Sequence, residues 1–172
     1  MNNRNCALLA KEMDEAWSML CNWVDGLIDR EIFWEPVPSC WTVHTNEKGI
    51  WVVDYEIPPS DPPPFTTIAW KLDHLASCKR MYHDYAFGEG TLQCEDIPVA
   101  HSAAEAITQL GEAQTKLRAR LDFLNDDQLD EMSQTNWGEM WPTWKIFWTM
   151  ISHDLHHGAE IGCLRDLFQV MG

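Results

Sequence analysis

The chain has 172 residues, ten of them Trp, and its 12 basic residues face 27 acidic ones for a formal charge of −15. That length supports one domain, 1–172, with a hydrophobic core that needs no staples. The acidic balance excludes the clustered Lys and Arg that a nucleic-acid surface requires, and Lys79-Arg80 and Lys116/Arg118/Arg120 read as solvated helix faces.

Apolar positions at Leu9, Met13, Ala16/Trp17, Leu20, Val24 and Leu27/Ile28 predict a first helix over 6–28 with one buried stripe. The opening Met1-Asn-Asn-Arg-Asn5 leads into this helix and lacks the apolar core of a signal sequence. Pro36 and Pro38 stop any continuation. The period then changes. Trp41–His44 and Ile50–Ile57 are rich in β-branched and aromatic residues, and Thr45–Gly49 between them has turn chemistry, which predicts a small hairpin. The proline-rich segment Ile57–Pro64 reads as a stiff extended linker. Thr66 or Thr67 caps a second helix running to about Phe87 and ended by Gly88 and Gly90. Ser102-Ala-Ala-Glu105 is a capping box that opens a third, with a stripe from Ala106/Ile107 through Leu110, Ala113, Leu117 and Leu121 to Leu124. Asn125-Asp-Asp127 breaks it, a polar loop follows, and Pro142 suits the first turn of a fourth helix reaching about Val170. These elements imply an all-α fold, a four-helix bundle with a hairpin insertion at about 30–64.

No stretch of 18 or more apolar residues exists, so no spanning helix and no membrane partner are expected. Cys6, Cys21, Cys40, Cys78, Cys94 and Cys163 form no CxxC pair, which points to a reduced, cytoplasmic protein.

The fourth helix is apolar on two sides. Ile146, Met150, His153, His157, Ile161, Leu164 and Phe168 cluster on one, expected to face the interior. Trp144, Trp148, Ile151 and Leu155, continued by Gly158 and Gly162, lie opposite and are expected to pack on a second subunit, making a homodimer, or under the insertion. His153 and His157 are one turn apart and leave the same face, the way a helix supplies two imidazole ligands to one metal ion; the alternative on spacing alone is two His that hydrogen-bond in a polar cleft. His156 points about 100° away from His157, to a different environment. A third donor has to come from another helix, and Asp73-His74-Leu75 supplies it. Three His with open coordination positions make a site of catalytic type, suited to zinc or nickel and also to iron or manganese. Asp73, Asp154 and Glu160 are candidates to orient the imidazoles, with solvent exposure the alternative for all three. Cys78, one turn after His74, is either a fourth ligand or nucleophile or a buried inert thiol. Trp51, Trp70, Tyr82 and Tyr85 line a pocket or belong to the core. Arg165 either binds an anionic group or satisfies carbonyls and a carboxylate near a helix end.

Pro62-Pro-Pro-Phe-Thr-Thr-Ile-Ala-Trp-Lys-Leu-Asp-His-Leu75 together with His156-His-Gly-Ala-Glu-Ile-Gly-Cys-Leu-Arg-Asp-Leu167 resembles the DinB-like superfamily, and the order of elements agrees over nearly the whole chain. The resemblance implies a four-helix bundle, commonly dimeric, with a divalent metal held by His74, His153 and His157. Where many relatives carry Arg after the last ligand, this chain has Gly158. It also implies thiol-dependent chemistry, since characterised relatives include thiol-dependent transferases and a maleylpyruvate isomerase using mycothiol or bacillithiol. A low-molecular-weight thiol cosubstrate and a small electrophilic substrate are then expected. A metal-dependent hydrolase, or a non-catalytic domain binding metal or a small molecule, are the alternatives.

Overall fold

Arg4–Val24 forms α1, with Cys6, Met13, Ala16, Leu20 and Val24 buried along one stripe. The helix stops short of Ile28 because Gly26 takes a φ of +71°, the left-handed conformation that ends helices. The structure is a computed structural model that describes residues 3–58 and 60–172. Met1 and Asn2 of the expected lead-in and Pro59 of the expected linker lie outside the described residues. A single turn, α2 (Asp29–Ile32), follows. The hairpin then pairs β1 (Val43–Thr45) with β2 (Trp51–Val53), antiparallel, Val43 opposite Val53. Its turn is closed by Asn46, whose side-chain oxygen accepts from the amides of Lys48 and Ile50 at 2.9 and 3.1 Å.

The insertion is stitched to the next helix by backbone bonds. Trp41 N–H donates to the Phe65 carbonyl at 2.8 Å, and Thr67 N–H donates to the Trp41 carbonyl at 2.9 Å. α3 (Ile68–Phe87) begins where the Thr67 hydroxyl accepts from the Trp70 amide at 3.3 Å, so Thr67 and not Thr66 is the cap. Cap and box differ slightly at α4 (Ala103–Arg118). The Ser102 hydroxyl accepts from Glu105 N–H at 3.2 Å, but the Glu105 carboxylate accepts from the amide of His101, not from that of Ser102. A 3-10 turn, Ala119–Phe123, prolongs α4.

The expected polar loop holds structure of its own. Asn125 caps α5 (Asp126–Leu129), and β3 (Met132–Gln134) pairs with β4 (Met140–Pro142) around Gly138, whose φ is +76°. Pro142 precedes α6 (Thr143–Met171) and does not lie within its first turn.

The chain is thus mainly helical, and α1, α3, α4 and α6 carry its two apolar clusters. One gathers Leu20, Val24, Leu72, Leu75, Leu110, Ile161 and Leu164; the other gathers Met13, Ala16, Tyr82, Leu117, Ile146, Phe147 and Met150. Between them on α3 and α6 sits an ion pair with both side chains 0% exposed, Lys79 Nζ lying 2.7 and 2.8 Å from the two carboxylate oxygens of Asp154. The reading of Lys79 as part of a solvated face is therefore wrong, as is solvent exposure of Asp154. Arg118 is also engaged, in a two-pronged bond to Asp14 at 2.8 and 3.0 Å, while the Arg120 guanidinium lies 5.1 Å from the centre of the Phe87 ring.

The two sides of α6 separate as well. Ile146, Met150, Ile161 and Leu164 are buried as expected. Gly158 and Gly162 receive Trp23 of α1: a Cβ at Gly158 would stand 2.3 Å from Trp23 Cε3. Ile151 is buried, whereas Trp144, Trp148 and Leu155 are exposed. Among the described residues, no helix is long and apolar enough to cross a membrane.

Candidate metal centre

α3 and α6 bring three imidazoles together, one pair edge-on and two pairs tilted. Ring centres of His74 and His157 stand 5.1 Å apart, and both His74–His153 and His153–His157 stand 5.6 Å apart. With metal–nitrogen bonds of about 2.0–2.1 Å and angles from tetrahedral to trigonal, rings sharing one ion have centres roughly 5.1–5.5 Å apart. The His74–His157 spacing lies within that range and the other two lie just above it, and the imidazole donors are of a type that suits a divalent ion.

One ring nitrogen each of His153 and His157 is occupied. His153 Nδ1 donates to the Thr149 carbonyl at 2.9 Å. A carbonyl only accepts, so Nδ1 carries the proton and Nε2 keeps the lone pair a metal needs. His157 Nδ1 lies 2.8 Å from Glu160 Oε2, which does the same for the second ring. Glu160 is itself held, because Lys71 Nζ donates to the same oxygen at 2.7 Å and to the Thr66 hydroxyl at 2.6 Å. Burial works against the charge of Glu160, but the bonds from Lys71 and His157 outweigh it and lower its pKa.

His74 is fixed from the insertion side. Trp70 stacks on it with ring centres 4.8 Å apart and planes at 13°. The indole N–H of Trp70 donates to the Asp54 carbonyl at 2.7 Å, just beyond β2, so the hairpin sets the plate on which His74 lies. Burial, reinforced by His157 and His153, lowers the His74 pKa to about 3, and the ring is neutral at physiological pH. Burial likewise lowers that of His157 against the pull of Glu160.

Cys78 joins the same cluster. One donor atom from each of His74, Cys78 and His153 lies within 4.8 Å of the other two, whereas His157 forms a second such group with His156 and Glu160. Burial pushes the Cys78 thiol up to about 12. His156 itself is largely exposed, with Nε2 3.3 Å from Glu160 Oε1.

The remaining candidates lie elsewhere. Asp154 bonds to Lys79 and to no imidazole. Asp73 receives a bond from the Ser77 hydroxyl at 3.4 Å, and burial raises its pKa to about 6. Arg165 is spent on structure, with Nε donating to Glu31 and Nη1 to the Trp23 and Asp25 carbonyls, all at 2.8 Å. Trp51 packs on Phe33 and His101, and Tyr82 stacks on Trp141. Of the four aromatic candidates, Trp70 is the one against a candidate ligand. Lys71, three residues before His74, was missed as a partner of Glu160.

These features, two long helices presenting His across an interior, define a class of helical protein built around a candidate metal centre. The family model of the DinB superfamily matches residues 12–161, and the chain belongs to that superfamily. Its members often bind metal. No curated protein matches the chain.

Proposed function

We propose that the protein is a metal-dependent enzyme that transfers a small thiol to, or isomerises, a small electrophile, with His74, His153 and His157 holding a divalent ion inside a four-helix bundle of α1, α3, α4 and α6. The observation that carries this reading is the meeting of three imidazole rings from two helices at 5.1–5.6 Å between centres. Zinc or nickel suits the nitrogen donors best, with iron or manganese less so. A bound ion supplies positive charge that makes a coordinated thiol lose its proton near neutral pH. The chain's own residues orient the donors. Thr149 and Glu160 hold the outer nitrogens of His153 and His157, Lys71 anchors Glu160, and Trp70 keeps the His74 ring in plane.

Metal content by mass spectrometry tests the proposal, on protein purified without a His-tag or chelator and on His157→Ala. The expected result is one divalent ion per chain, lost in the variant, followed by turnover of electrophiles that requires added thiol. No ion in either protein after reconstitution refutes it.

A further inference from the structure

We propose that the cleft between α3, α4 and the loop joining them binds a small zwitterion, a free amino acid with an apolar side chain. The cleft holds about 300 Å³, the lower end of the range for small-molecule sites. It lies on the α4 side of α3, whereas His74 meets α6, so the proposal stands apart from the metal reading.

The two basic groupings of the sequence meet here. Arg80 of α3 reaches Gln109 and Glu112 of α4 only at 3.5 and 4.0 Å, so its guanidinium keeps donors to spare. About one turn further along each helix, His83 and Lys116 line the same cleft. Among the described residues the paired lysines are Lys11, Lys71 and Lys79, and Lys116 is not one of them. Burial lowers the His83 pKa, and Lys116 and Arg120 lower it further, so the ring is neutral and offers one N–H.

Carboxylates line the cleft as well. Asp84 Oδ2 accepts the amides of Thr91 and Leu92 at 2.8 and 2.9 Å, which folds the loop back onto α3. Asp96 Oδ2 accepts from Gln93 N–H at 3.0 Å, and among the described residues its Oδ1 takes no bond. With His83 neutral, positive Arg80 and Lys116 stand against negative Asp84, Asp96 and Glu112. A simple anion meets three like charges there and a simple cation meets two. A zwitterion gives Arg80 and Lys116 a carboxylate and Asp96 an ammonium, and its side chain falls to Leu92, Ile97 and Ala113, the last two buried. Each of these pairs is open to water and weak alone, so binding needs both ends of the ligand.

Titration of chelator-treated, isotope-labelled protein with L-leucine, read by NMR, tests the proposal; removal of metal keeps the amino acid from binding at the imidazoles instead. Saturable shifts of the Leu92, Ile97 and Ala113 amides are expected, with a Kd of about 1 mM or below. Leucinamide, which lacks the carboxylate, and isocaproate, which lacks the amine, are expected to bind about tenfold more weakly or worse. Arg80→Gln and Lys116→Gln should weaken leucine by a similar factor. Asp96→Asn keeps the acceptor for Gln93 and should erase the preference for leucine over isocaproate. Isocaproate or leucinamide binding wild type as well as leucine does overturns the zwitterion. Leucine affinity unchanged in both Arg80→Gln and Lys116→Gln overturns the carboxylate end, and no saturable shift at the cleft overturns the site. Should a variant not fold, the comparison of leucine with its two analogues on wild type decides alone.

Discussion

Replacing Lys79 by Met leaves the Asp154 carboxylate buried between two apolar clusters with no countercharge. Removing one partner of a buried pair costs about 3–5 kcal/mol. The structure also sets a ceiling. The orphaned carboxylate escapes its charge by taking a proton, which from an unfolded pKa of about 3.9 costs roughly 4 kcal/mol at pH 7 at 1.36 kcal/mol per unit. In the variant the folded pKa of Asp154 is raised, so its penalty is absent below pH 4 and grows as pH rises. The loss at pH 5 is therefore only about 1.5 kcal/mol. Urea unfolding of chelator-treated protein at pH 5, 6 and 7, followed by circular dichroism, measures both values. A double variant, Lys79→Met with Asp154→Leu, removes both charges and is expected within about 1 kcal/mol of wild type. A loss below about 1 kcal/mol at pH 7 in the single variant, or one that does not vary with pH, refutes this account of the pair.

Two further outcomes follow from the geometry. The depressed pKa of His74 means that the unfolded chain binds a proton below pH 6.5 that the folded apo protein refuses until about pH 3; stability is full above pH 6.5 and falls by roughly 2 kcal/mol between pH 7 and pH 5, and His74→Gln should flatten that part of the slope in denaturant titrations. At Gly158 an added Cβ would meet the Trp23 ring at 2.3 and 2.4 Å, whereas at Gly111 nothing lies within 4 Å. Overpacking of about 1–3 kcal/mol outweighs a helix-propensity gain of about 1 kcal/mol, so Gly158→Ala should lower the melting temperature and Gly111→Ala raise it; the reverse order would contradict the packing.

What could be read in the sequence was local. The four-residue step from His153 to His157, the cap at Thr67 and the turn before Ile50 are set by neighbours in the chain. Glu160, three residues past His157, was within reach for the same reason. The Lys79–Asp154 pair was not, because its members are 75 positions apart and each, seen in its own window, is an ordinary charge on a helix. The second hairpin was overlooked although Asn136-Trp-Gly138 is a turn signal; its three-residue strands are too short for alternation to show. Gly158 and Gly162 were recognised as close-packing positions, but the ring that fills them comes from α1, and periodicity within α6 carries no information about its partner.

Two cross-helix ion pairs set how α3 and α6 meet. Lys71 bonds to Glu160 and Lys79 to Asp154, so positions rise along α3 as they fall along α6, and the helices run antiparallel at this level. The lysines bracket His74 and Cys78, about 12 Å apart along their helix, and the acids bracket His157, about 9 Å apart along theirs. A slip of one residue moves one helix by about 1.5 Å and rotates it by about 100°, which breaks both pairs and carries the imidazoles off the shared face. Apolar packing alone tolerates such a shift more readily, since Leu, Ile and Met substitute for one another at modest cost. A fully buried ion pair adds little net stability. Its value lies in register: Lys79–Asp154 and Lys71–Glu160 hold His74 opposite His153 and His157.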